Sequence, residues 1–122
     1  MKKVTEEERH RDWHNHLQET FRNSSLIKYK RIPSCYGEAM YFYDMVNRGL
    51  KISEDPNYYR TIGKKNDGRN EKFWNAFMKD YKPGDEMYIY EYTSTEYLNI
   101  YGSGMMLVRN GIAIGMHVCE FA

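Results

Sequence analysis

The last third of the chain alternates apolar and polar positions with the two-residue period that is typical of β-strands. We expect strands over residues 87–92 and 98–101, and on both sides of Asn110-Gly111. Asn-Gly between two apolar runs predicts a tight hairpin, because a type I′ turn needs positive φ at both central residues. The Gly-rich segment 101–104 is expected to be a hinge between strands, with a backbone nest as the alternative.

Simple alternation across this turn also predicts which side chains share a face of the hairpin. Leu107 and Met116 would lie on one face. Val108, His117 and Cys119 would lie on the other. Because both faces are largely apolar, we expect the hairpin in the middle of a sheet or at an interface.

A helix is predicted over residues 4–22, with Thr5 and Glu8 spaced as a capping box at its start. Its apolar stripe has three members at intervals of four residues: Trp13, Leu17 and Phe21. A stripe this thin packs along one narrow seam or onto a partner subunit. The helix is therefore a candidate oligomerisation element.

The middle of the chain predicts a strand over residues 26–32, a helix over 35–48, a short helical turn from Asp55 and a helix over 71–81. Ser34 is the expected N-cap of the second helix, and Gly49 the residue that ends it. Together these elements predict a single α+β domain over residues 1–122. Three or four helical segments would pack on an antiparallel sheet of three to five strands.

Charge is nearly balanced overall, with 18 Lys and Arg against 17 Asp and Glu, so no global field favours a polyanion or a membrane surface. Its distribution is uneven: residues 28–72 carry 10 basic and 6 acidic groups, whereas residues 73–122 carry 3 and 6. Regions of opposite sign, together with a hairpin that is apolar on both faces, predict a homo-oligomer.

Two cysteines provide no disulfide framework, and no apolar run approaches the roughly 20 residues of a membrane span. The first residues also lack the apolar segment of a secretion signal. We therefore expect a cytoplasmic protein without a membrane partner. The 12 tyrosines and few alanines are typical of an AT-rich genome, such as that of a low-GC bacterium or its phage.

Catalytic and metal-binding patterns are weak. His117 and Cys119 could begin a cysteine nucleophile, but no third residue is visible to orient the imidazole. Cys35 has the helix N-terminal position that lowers a thiol pKa, but it lacks a local base. His10 and His14 lie one helical turn apart, yet Arg11 between them disfavours a cation. We predict no metal, no cofactor and no catalytic residue.

Aromatic side chains beside Lys and Arg form the strongest candidate site, because a nucleotide offers a base to stack and phosphates to pair. The predicted ligand-binding residues are Lys28, Lys30, Arg31, Tyr58, Tyr59, Arg60, Lys64, Lys65, Arg69 and Arg109. These residues predict a non-enzymatic protein that binds a nucleotide or nucleic-acid-type anion.

Two alternatives remain open at the level of sequence. The first is a protein-binding regulator or inhibitor, of the kind that phages encode against host defences, acting through the face shared by Tyr88, Tyr90 and Tyr92. The second is a small enzyme that uses His117 or Cys35.

Overall fold

The computed structural model describes residues 5–52, 55, 57–58, 61, 71–94 and 100–121. Within them the fold is α+β, as predicted, with three helices and a four-stranded antiparallel sheet. The elements in chain order are α1 (Glu6–Asn23), β1 (Ser24–Lys28), α2 (Tyr36–Asn47), α3 (Glu71–Phe77), β2 (Glu86–Ser94), β3 (Ile100–Arg109) and β4 (Ile112–Phe121).

The chain divides into two compact units. The sheet unit comprises residues 1–28 and 82–122, and contains α1 and all four strands. The helical unit comprises residues 29–81 and contains α2 and α3, which contact each other.

The strands of the sheet unit lie in the order β1-β2-β3-β4, and each pair is antiparallel. Asn110 and Gly111 have φ angles of 52° and 79°. Both values are positive, which confirms the tight hairpin between β3 and β4.

The hinge predicted at residues 101–104 is wrong, because β3 runs without interruption from Ile100 to Arg109. A Cβ atom at Gly104 would overlap the backbone carbonyl oxygen of His117 on β4. Glycine therefore serves here to let two neighbouring strands approach closely, and not to provide a flexible joint.

Two register shifts between β3 and β4 overturn the simple alternation predicted beyond the turn. Ile114 and Cys119 are extra residues of β4, each inserted between two paired positions. After the first insertion Met116 lies opposite Met106, so it shares a face with Met106 and not with Leu107. A β-bulge has this effect because one unpaired residue exchanges the faces of all the residues that follow it.

Helix α1 covers one face of the sheet unit, and it begins as the sequence predicts, with the hydroxyl oxygen of Thr5 accepting from the backbone N–H of Glu8. Leu17 packs with Tyr90, Met106 and Val108 in the buried core. Burial of a leucine contributes about 1.5–3 kcal/mol. Trp13, by contrast, is half exposed, so the helix packs through its second half only.

Strand β1 starts two residues earlier than predicted and ends at Lys28. The next residue, Tyr29, does not continue the strand, and its ring is buried in the helical unit. This ring stacks on Phe42 with centroids 4.3 Å apart, and its hydroxyl donates to the carbonyl of Ala39. The strand predicted over residues 26–32 is therefore wrong beyond Lys28.

Helix α2 ends as predicted. Gly49 has a φ of 65°, its N–H donates to Val46, and the N–H of Leu50 donates to Met45. This pair of bonds is the Schellman arrangement, which satisfies carbonyls at a helix end. The N-cap is Cys35, one residue later than the predicted Ser34.

Helix α3 is shorter than the predicted span of residues 71–81. Its helical backbone ends at Phe77, and the N–H of Tyr81 donates to Met78 in a turn. Trp74 is the buried residue of its apolar stripe, whereas Phe73 is 57% exposed.

Candidate functional site

Arg109, one of the predicted ligand-binding residues, is joined to Asp85 at the start of β2. Its Nε and Nη2 atoms each donate to a carboxylate oxygen at 2.8 Å, and the same carboxylate accepts from the backbone N–H of Lys82. These hydrogen bonds, with that from Arg109 the largest influence, hold the pKa of Asp85 below its ordinary value. Because two of the donor nitrogens of Arg109 bind a buried carboxylate, the residue has a structural role beside the hairpin turn at Asn110-Gly111.

Lys28 belongs to the sheet unit and forms a salt bridge with Glu86, the residue after Asp85. The hydrogen bond to Glu86 raises the pKa of Lys28 and lowers that of Glu86. Two predicted anion-binding cations thus pair with consecutive carboxylates of this chain. An anionic ligand would have to compete with these carboxylates.

Lys30 and Arg31 lie in the helical unit and are exposed. Arg31 pairs with Glu38 at 3.3 Å. The Glu38 carboxylate is buried and also accepts from the hydroxyl and the backbone N–H of Ser34. Glu38 thus closes the N-terminal turn of α2 by reaching back across it, as the acid of a capping box does.

Tyr58 is the predicted ligand-binding aromatic residue that the structure describes, and its side chain is 48% exposed. It lies in helical backbone, next to Asn57, whose N–H donates to the Asp55 carboxylate, as predicted for a helical turn that starts at Asp55. Its ring meets that of Tyr41 edge-on, with centroids 6.1 Å apart. An aromatic neighbour in this geometry stabilises an exposed ring in one orientation.

Five other predicted ligand-binding residues lie outside the described residues: Tyr59, Arg60, Lys64, Lys65 and Arg69. Their assignment stays a prediction from sequence. The structure therefore places Lys30, Arg31 and Tyr58 in the helical unit, and Lys28 and Arg109 in the sheet unit.

His117 and Cys119, considered above as the start of a nucleophilic pair, are in an unfavourable setting for that chemistry. Burial, helped by the nearby charge of Glu120, raises the pKa of the Cys119 thiol to about 12. A thiol with this pKa carries almost no thiolate at neutral pH, and the thiolate is the nucleophile. Cys119 is also the inserted residue of the second bulge, so the regular alternation that the prediction assumed along β4 is broken between His117 and Cys119.

Cys35 is partly exposed at the start of α2, and its side chain makes no capping hydrogen bond. His10, His14 and His16 are exposed on α1, and the ring of His16 lies 5.8 Å from that of Trp13. Across the described residues, no three His, Cys, Asp or Glu side chains are arranged to hold a metal ion.

The tyrosine face of β2, on which the partner-binding alternative depends, forms part of the core beneath α1. Tyr90 is 2% exposed, and Tyr88 and Tyr92 are partly buried against the same cluster. Phe21 of α1 lies over Tyr88, with ring centroids 6.5 Å apart. Helix α1 therefore covers much of the surface that a protein partner would have to contact.

Sequence reasoning missed two residues with structural roles, Glu38 and Gln18. Ser34 followed by an acid at a helix start was a signal for Glu38. No local signal marks Gln18, whose side chain amide binds the backbone of Ala113, 95 residues away along the chain.

Comparisons with protein-family models, with curated proteins and with solved structures found no match to this chain. Within the described part of the chain, no helix has the length and apolar character to span a bilayer.

Proposed function

We propose that this chain is a non-enzymatic protein that binds a nucleotide or nucleic-acid-type anion through its helical unit. The observation that carries the proposal is the half-exposed ring of Tyr58, which is supported edge-on by Tyr41. Such a ring is a platform on which a base can stack, and stacking of this kind tolerates any base.

The distribution of charge also favours the helical unit as the place where an anion binds. Residues 29–81 contain 10 Lys and Arg against 7 Asp and Glu, whereas the sheet unit contains 8 against 10. Arg60, Lys64, Lys65 and Arg69 follow Tyr58 closely in the sequence. Positive charge near a stacking platform attracts the phosphates of the same ligand.

Catalysis is disfavoured by the state of the residues that would perform it. The raised pKa of Cys119 leaves it protonated, and burial lowers the pKa of His117. The sequence around Cys35 offers no local base, and binding without turnover requires none of the three residues.

The protein-partner alternative is less favoured, because α1 covers the tyrosine face on which it was predicted. That hypothesis therefore needs a different surface. Weak dependence of complex formation on salt would distinguish it from the binding of a polyanion.

Fluorescence anisotropy with labelled single-stranded DNA and RNA of about 12 nucleotides tests the proposal, together with a thermal-shift measurement on ATP and GTP. Tyr58→Ala should weaken binding by roughly 5- to 150-fold, which corresponds to about 1–3 kcal/mol for one stacked base. Tyr58→Phe keeps the ring and should bind like the wild type.

Trp13→Ala is the control, because it removes a half-exposed aromatic side chain from the sheet unit instead. Raising the salt concentration should weaken binding by the wild type. The logarithm of the affinity should fall linearly with the logarithm of the salt concentration, with a slope set by the number of phosphates contacted. No response to any of these ligands, or equal loss in Tyr58→Ala and Trp13→Ala, would contradict the proposal.

A further inference from the structure

The outer side of β1 is an edge of the sheet. In the strand order β1 is terminal, and among the described residues no strand pairs with its outward side. The outward N–H and C=O groups of such a strand form a template for another strand.

The opposite edge, β4, carries features that hinder such pairing. It is interrupted by the bulges at Ile114 and Cys119, and Gln18 occupies both backbone polar groups of Ala113. Bulges and bound side chains are common means by which proteins protect an edge. The two edges of this sheet are therefore unequal.

Among the residues that the structure describes, neither a bulge nor a bound side chain protects strand β1 in this way. It pairs with β2 in unbroken register over its five residues, from Ser24 opposite Tyr92 to Lys28 opposite Tyr88. It contains no proline and no glycine. Leu26 and Ile27, which point to opposite faces, are 37% and 46% exposed.

Lys28, the charged residue of β1, also does not protect the strand against pairing with another strand. Lys28 is salt-bridged to Glu86 of the same unit, and this pairing neutralises the charge locally. Edge lysines discourage strand addition when their charge is unpaired, because two copies then repel each other.

The sequence of β1 is complementary to itself in one direction. Antiparallel pairing of two complete copies places Leu26 opposite Leu26, Ser25 opposite Ile27 and Ser24 opposite Lys28. A parallel pair in register would instead bring the two Lys28 side chains together. Antiparallel pairing also has the two-fold symmetry that closes a dimer.

From this geometry we infer that the partner of β1 is β1 of a second copy of this chain, joined antiparallel about Leu26 to form a continuous eight-stranded sheet. The inference concerns the sheet unit and does not depend on anion binding. The interface involves one short strand and a few side chains on each copy. Interfaces below about 1,200 Å² are weak, so we expect a dimer with a dissociation constant in the micromolar range or higher.

Sedimentation equilibrium of the full chain, from about 10 to about 500 µM, tests the dimer over the range that suits a weak interface. The wild type should pass from monomer to dimer. Leu26→Lys should remain a monomer, because it places two unpaired charges opposite each other. Val118→Lys introduces the same charge at a 47% exposed position on the other edge strand, and should dimerise like the wild type.

A monomeric wild type at every concentration, or equal loss of dimer in both lysine variants, would overturn the inference. Circular dichroism and thermal melting establish that each variant is folded. Cross-linking provides a second measurement that does not require a destabilising charge.

Cross-linking tests the register directly, in a background in which Cys35 is serine and Cys119 is alanine. In this pairing the two Leu26 Cα atoms lie about 4.5–5.5 Å apart, within the range that a disulfide spans. Leu26→Cys should therefore form a covalent dimer under mild oxidation. Ile27→Cys lies opposite Ser25 and should cross-link far more slowly, as should Val118→Cys. Equal cross-linking at all three positions, or none at position 26, would overturn the proposed register.

Discussion

The side chain amide of Gln18 binds both backbone polar groups of Ala113, like a short piece of an additional strand. Its Nε2 donates to the Ala113 carbonyl oxygen at 2.7 Å, and its Oε1 accepts from the Ala113 N–H at 3.1 Å. Ala113 is on the edge strand β4, directly before the first bulge. One residue of α1 thus fixes the helix on the sheet and protects part of an exposed edge.

Gln18→Ala should lower the free energy of unfolding by about 1–2 kcal/mol, because it leaves a partly buried N–H and C=O to be satisfied by water. Urea denaturation measures the change, and hydrogen exchange should show faster exchange at the Ala113 amide. Asn15→Ala removes an exposed amide of the same helix, and should change stability by less than about 0.5 kcal/mol. Equal effects of the two substitutions would show that the Gln18 bonds contribute nothing.

Gly104→Ala should be strongly destabilising, because its Cβ would overlap the backbone oxygen of His117 on the neighbouring strand. We expect a loss of about 3 kcal/mol, since neither backbone can move without disturbing the ladder. Gly102→Ala is the matched control on the same strand: the nearest atom to its Cβ would be 3.9 Å away. That variant should be neutral or slightly more stable, and thermal melting of the pair tests the close approach.

Asp85→Asn should cost about 1.5–3 kcal/mol of stability, because it removes the charged acceptor of Arg109. A double-mutant cycle with Arg109→Gln isolates the coupling between the two side chains. Arg22→Gln, an exposed cation on α1, controls for the change of net charge. If the Asp85 and Arg109 effects were simply additive, the structural role assigned to Arg109 would be wrong, and its availability to a ligand would have to be reconsidered.

Stability should depend on pH through His117. Burial lowers its pKa in the folded chain, so the unfolded chain binds the proton more readily. The full stability is therefore present above the ordinary histidine pKa of about 6.5. It is lost as the pH falls from there through the lower pKa of His117 in the folded chain.

Chemical denaturation between about pH 8 and pH 5 measures this effect, and His117→Gln should reduce the loss of stability over that range. His14→Gln removes an exposed histidine of α1 but leaves His117 in place. This variant should therefore lose as much stability between about pH 8 and pH 5 as the wild type does. If the free energy of unfolding of the wild type and of His117→Gln fell equally over this pH range, the prediction would be contradicted.

The candidate site could be predicted only in part. The sequence identifies basic and aromatic residues, and the structure shows Tyr58 half exposed beside Tyr41. The sequence could not show that Lys28 pairs with Glu86 and Arg109 with Asp85, because those contacts depend on which strands lie side by side. Charge alone does not reveal whether a cation already has an internal partner.

The sequence by itself determined the features that depend on a few neighbouring residues. The hairpin turn at Asn110-Gly111, the capped start of α1 and the glycine that ends α2 were all predicted correctly. Each is fixed by the φ angle that a residue allows, or by a hydrogen bond that spans three or four residues. The α+β class follows from the same local periodicities.

Only the tertiary structure decided which side chains share a face and which part of α1 is buried. The bulges at Ile114 and Cys119 exchange the faces of β4, and they arise from the fit of β4 against β3. Leu17 is buried and Trp13 exposed because of where α1 crosses the sheet, where Gln18 meets Ala113 from 95 residues away. Such contacts depend on packing between distant segments, which local periodicity does not encode.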